Sequence, residues 1–120
     1  MQFPRGKLTA TLRDTETARK LVAALPCDSV ASTWGDEVYF QMPVKARLEA
    51  DACDVVEPGT VCFWVQGSSL ALPFGPTPVS RGDECRLVTA VNLLGKIEGD
   101  LKVLKGVRDG DAVNVSIAPA

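Results

Sequence analysis

Apolar and polar residues alternate along most of this chain, with the period of two expected of a half-buried strand. Lys7 to Leu12 sets the pattern, with Leu8, Ala10 and Leu12 on one face. One segment has a different period. Ala18, Leu21, Val22 and Leu25 fall at i, i+3, i+4 and i+7, which predicts an amphipathic helix. Asp14 or Thr15 can cap it, Glu16 lies in the favourable first turn and Pro26 stops it. Arg19 and Lys20 fall on its other side, so the helix is expected to plug or cover a β core.

Beyond the helix the strand pattern resumes. Val30–Ser32 is a short strand, Gly35-Asp36 a turn, and Glu37–Met42 a strand that Pro43 ends. Asp54–Val56 leads into Glu57-Pro58-Gly59-Thr60, whose central Pro-Gly is the preference of a type II turn. Val61–Val65 is almost continuously apolar and reads as a strand buried on both faces. Ser69–Phe74 is a further strand, and Arg81-Gly82-Asp83 a polar loop. Arg86–Ile97 is a long strand in which Gly95 predicts a bulge or bend. Leu101–Leu104 reads as a short edge strand, and Ala112–Ile117 closes the series with Val113, Val115 and Ile117 alternating. About eight short strands with one substantial helix predict a mainly β fold, a small closed barrel or sandwich. All 120 residues are expected to form a single domain, since no repeat, linker or low-complexity segment divides them.

Composition narrows the function classes. The formal net charge is −2, and the longest basic run is the pair Arg19-Lys20, so neither nucleic acid nor an anionic membrane is an expected partner. No apolar run is long enough to span a bilayer, and MQFPRGKL lacks the apolar core of a signal peptide, which predicts a cytoplasmic protein. There is no histidine, which removes Ser–His and Cys–His catalysis and the commonest general base near neutral pH. No phosphate-binding glycine loop is present. Cys27, Cys53, Cys62 and Cys85 form no CxxC pair and read as free thiols in the core, with no metal or other cofactor expected.

Three groups of motifs carry a family resemblance. They are Trp34-Gly35-Asp36-Glu37-Val38-Tyr39-Phe40, then Glu57-Pro58-Gly59-Thr60 before Phe63-Trp64, and Phe74-Gly75-Pro76-Thr77-Pro78 with Ser80. Val91-Asn92 before Gly95-Lys96-Ile97, and Gly110-Asp111 before the last strand, extend the match in order along nearly the whole chain. The chain resembles small prokaryotic cyclophilin-like proteins. The resemblance implies an eight-stranded cyclophilin-type barrel closed by a helix. It does not carry the activity with it, because the arginine-bearing strand and the histidine of true prolyl isomerases have no counterpart here.

The remaining chemistry lies in aromatic and hydroxyl side chains. Phe40, Phe63 and Phe74 are expected in the core, with Phe74 also a candidate for a cleft wall. Tyr39 and Trp64 each carry a polar handle that suits the wall of a cleft. Gln66 would share the face of Trp64 if the strand continued, and Phe74 and Thr77 would lie beside it on the stiff Gly/Pro loop. Ser80 flanks the same loop, where Thr77 and Ser80 would either cap turns or offer hydroxyls to a ligand. Glu37 is either exposed or an acid in a pocket. Asn92, inside an apolar strand, should tie a neighbouring loop to the barrel. The expected function is binding of a small apolar molecule or a peptide at Tyr39, Trp64, Gln66, Phe74, Thr77 and Ser80. The alternative is a prolyl isomerase with altered machinery, which would need Arg47 or Arg86 beside an apolar pocket.

Overall fold

The computed structural model describes residues 1–119, and extended chain dominates it. Ten strands run β1 (Gln2–Phe3), β2 (Gly6–Lys7), β3 (Thr9–Leu12), β4 (Cys27–Thr33), β5 (Glu37–Gln41), β6 (Cys53–Val56), β7 (Thr60–Trp64), β8 (Ser69–Pro73), β9 (Cys85–Glu98) and β10 (Ala112–Val115). The order in the sheet is β2-β1-β10-β4-β5-β8-β7-β9-β3, with β6 pairing separately on β9. The two ends of this order, β2 and β3, are consecutive parts of one extended segment. Met1 and Leu8 exchange backbone hydrogen bonds of 2.8 and 2.9 Å, which carry the β1–β2 pairing one residue on toward β3. The sheet is therefore a nearly closed barrel, the mainly β architecture that the alternation predicts.

Two local differences have clear causes. The β1–β2 hairpin was not expected, because strands of two residues carry no readable period. Leu101–Leu104 is not an edge strand: helix α2 spans Lys102–Lys105. Leu101 and Leu104 are spaced i, i+3, which suits a helical turn as well as it suits a strand. That turn buries Leu104 to 1 % exposure.

The main helix, α1 (Glu16–Ala23), begins where Thr15 Oγ1 accepts a 3.1 Å hydrogen bond from the Ala18 N–H. Its buried face is Thr17, Ala18 and Leu21, while Val22 turns outward at 40 % exposure, so the apolar stripe is narrower than expected. The barrel interior takes Val38 and Phe40 from β5, Val61 and Phe63 from β7, and Leu70 and Leu72 from β8. Burying a side chain of this kind contributes roughly 1.5–3 kcal/mol.

Asn92 fastens α1 and the irregular 43–52 segment to β9. Its Oδ1 accepts from the Glu49 N–H at 2.8 Å, and its Nδ2 donates to Thr17 Oγ1 at 3.0 Å and to the Arg47 carbonyl at 2.8 Å. β9 is bulged where it crosses β7: Val61 pairs with Gly95 but Cys62 with Leu93, leaving Leu94 as the extra residue. Glycine is needed at 95, since a Cβ there would strike the Thr11 backbone carbonyl of β3.

Candidate functional site

The period of two that fills the barrel also builds its outer face. On β5, Val38 and Phe40 point inward, so Glu37 and Tyr39 point outward. On β7 the outward residues are Cys62 and Trp64, and on β8 Ala71. Register aligns Tyr39 with Ala71 and Ala71 with Cys62 across three strands. Cys62, Ala71, Leu87 and Val91 form a second apolar cluster outside the barrel, with Tyr39 and Trp64 packed against it. Ala71 is small, which leaves room above the sheet between the larger rings on either side.

That room is a cavity of about 260 Å³ lined by Trp34, Glu37, Tyr39, Trp64, Ala71, Leu87, Val88 and Val91. Both tryptophans of the chain line it. Tyr39 and Trp64 meet edge to face, with centroids 6.3 Å apart and planes at 89°. Such a pair adds roughly 0.5–1.5 kcal/mol beyond its buried area. Gly67 gives Trp64 its seat, because a Cβ at 67 would overlap the six-membered ring of the indole.

Two polar atoms on these walls are buried without a hydrogen-bond partner among the described residues: Glu37 Oε1 and Trp64 Nε1. Each such atom costs about 1–3 kcal/mol, and buried polar groups are otherwise almost always paired. Glu37 is only 7 % exposed. Burial pushes its carboxyl up to about 7, so it is only partly ionised near physiological pH. Burial, together with the Glu37 charge, also raises the Cys62 thiol behind it. No lysine or arginine lines the cavity.

The stiff loop after β8 holds this acid in place. Trp34 and Glu37 flank the Gly35-Asp36 turn, and the Trp34 N–H donates to the Glu37 carbonyl at 3.0 Å. The Asp36 N–H donates to the Pro76 carbonyl at 2.9 Å, and the Phe74 N–H to the Asp36 carbonyl at 2.8 Å. Gly35 has φ +58°, and a Cβ there would strike Pro78 and Thr77. The Gly/Pro loop is thus a buttress for the Trp34–Glu37 turn.

The structure brings together two of the six candidate residues, Tyr39 and Trp64. Gln66 is exposed, because β7 ends at Trp64 and the chain turns over Val65–Ser68. Phe74 is half-buried and packs against the barrel-interior cluster. Thr77 and Ser80 spend their hydroxyls within the loop. Thr77 Oγ1 donates to the Arg86 carbonyl, and Ser80 Oγ accepts from the Thr77 and Arg86 N–H groups at 2.9 and 3.2 Å. Neither arginine reaches the cavity. Arg86 pairs with Glu84 and Asp54, and Arg47 lies exposed near Glu16. Trp34 and the β9 residues Leu87, Val88 and Val91 carry no local signal in the sequence; pairing at distance alone brings them here.

Two wider grooves of about 580 Å³ lack such orphaned atoms. In one of them Arg13 and Lys96 are neutralised by Asp51 and Glu57. Among the described residues no group of three potential metal ligands is assembled. The four cysteines are free thiols. No helix is long and apolar enough to cross a membrane.

A family model described as cyclophilin-like matches residues 1–116. Among solved structures, the chain is similar to a hypothetical protein from Archaeoglobus fulgidus determined in solution. The two are 38 % identical, with a TM-score of 0.83, over 98 % of this chain and 91 % of that one. No curated protein matches the chain.

Proposed function

The chain belongs to the cyclophilin-like family, and from that premise we propose that it binds a small, mainly apolar ligand in the cavity between Trp34, Tyr39 and Trp64. The observation that carries this reading is the pair of orphaned atoms, Glu37 Oε1 and Trp64 Nε1, on two walls of one apolar cavity. Pockets that recognise small molecules combine apolar lining with a few directed polar groups, and this one offers an acid and an N–H donor. Its volume, below the usual range for drug-sized ligands, favours a compact occupant over an extended peptide.

The prolyl isomerase alternative lacks the cation it needs, since Arg86 is held by two carboxylates and no basic side chain lines the cavity. Intrinsic fluorescence reports on the site directly, because both tryptophans line it. A library of compact soluble fragments should include members that change this emission and shift the Trp64 indole N–H resonance. If no fragment moves either signal at millimolar concentration, the binding reading falls. An NMR exchange assay on an X-Pro peptide should give no rate above background, and a clear rate would restore the isomerase.

A further inference from the structure

We propose that this cavity is an aromatic cage for a small quaternary ammonium ligand, a trimethylammonium head bearing an oxygen on a short tail. The inference rests on the binding reading above and narrows it to one ligand class. Three aromatic side chains, Trp34, Tyr39 and Trp64, surround a space of about 260 Å³. Tyr39 and Trp64 stand perpendicular, edge to face, so a cation seated on the open face of one ring lies beside the other.

The charge of the lining has the required sign. Glu37 is its one ionisable acid, and no lysine or arginine opposes it. The cost of ionising Glu37 in the empty site is the cost an organic cation would offset. A quaternary head has no N–H to donate, so it is suited to π faces and a diffuse counter-charge. Ala71, Leu87, Val88 and Val91 give its methyl groups an apolar bed.

The Trp64 N–H sets the rest of the ligand. This buried donor has no acceptor among the described residues, and the proposal assigns it an oxygen of the occupant, close to the head. A free small molecule satisfies that condition. A methylated lysine on a protein does not, because its head is followed by a bare alkyl stem.

The test compares choline with 3,3-dimethyl-1-butanol, which has the same shape and hydroxyl but no charge. Tryptophan emission and the two indole N–H resonances are followed on the intact chain. Choline should bind about tenfold more tightly than the neutral isostere. Glu37→Gln should remove most of that difference. A peptide carrying trimethyl-lysine should bind more weakly than choline. Equal binding of choline and the isostere would overturn the cage while leaving a small-ligand site standing, as would fragments that bind where choline does not. Tighter binding of the peptide would overturn the small-molecule assignment. Silence from all of these and from the fragment library would remove the binding reading itself. Because the choline comparison is made on the unsubstituted protein, it does not depend on any variant folding.

Discussion

Asn92 and Glu37 are both buried polar side chains in the same sheet, and they are treated in opposite ways. Asn92, fully buried, has three hydrogen bonds at 2.8–3.0 Å that join β9 to α1 and the 43–52 segment. Glu37 is nearly as buried, yet its Oε1 meets no partner and its neighbours are rings and aliphatic side chains. A polar group that holds the fold together is saturated by the fold. One left unsaturated beside an open cavity has its partner elsewhere. The contrast separates the inner end of the barrel, which is finished, from the outer face of β5, β7 and β8, which is not.

Substitutions can break or sharpen this contrast. Asn92→Ala should be the most damaging, at about 3 kcal/mol in urea unfolding, since it strands the Glu49 N–H and the Arg47 carbonyl and leaves the Thr17 hydroxyl only its bond to the Glu49 carboxylate. A loss below about 1 kcal/mol would mean that Asn92 is no tie.

Glu37→Gln should act in the other direction and only at higher pH. The Glu37 carboxyl in the folded chain sits at about 7 against an ordinary 4.5, so the folded state holds this proton more tightly than the unfolded one. The stability it permits is full below about pH 4.5, declines as pH rises to about 7, and is flat above that. Cys62 and Cys85, its titratable neighbours on β7 and β9, are pushed up from ordinary thiol values and stay neutral across this window. The glutamine variant should therefore match the parent near pH 4 and exceed it by about 3 kcal/mol at pH 8. Parallel curves for the two proteins would show that Glu37 is not desolvated.

Gly67→Ala should cost about 1–2 kcal/mol, because its Cβ must displace the Trp64 ring. The Trp64 indole resonance should move with it; an unmoved resonance would mean the ring is not seated on Gly67. Trp64→Phe should have the smallest effect on stability, under about 1 kcal/mol, since the lost contact area is offset by removal of an unpaired N–H. A large loss would make Trp64 a structural residue and weaken the contrast with Asn92.

The strands and α1 were legible because each follows its own period and carries its own punctuation: Thr15 before the helix, Pro-Gly at 58–59, and Gly95 at the bulge. Leu101–Leu104 was misread because four residues satisfy both periods. The site was only half legible. Tyr39 and Trp64 stand out as rings with polar ends, but Gln66 is marked only by its place two residues after Trp64, and Phe74, Thr77 and Ser80 only by the stiff Gly/Pro loop. The cavity is assembled across strands, from β5, β7, β8 and the first half of β9, and its acid opens β5 beside a turn braced by the Gly/Pro loop. Adjacency along the chain says little about a site made by register between distant segments.

The place of β10 has a consequence for how this barrel comes into being. Residues 112–115 lie between β1 and β4, so the sheet cannot be sealed by the segments that precede them. A chain emerging from the ribosome can assemble β4, β5, β8, β7 and β9 in their native order and still leave a gap beside β4. The last step joins Gln2 to Asn114, the widest separation in the fold, and bears the largest loop-closure entropy. The seam therefore cannot close before residues 112–115 are made, while the outer cavity is built wholly of residues up to Val91.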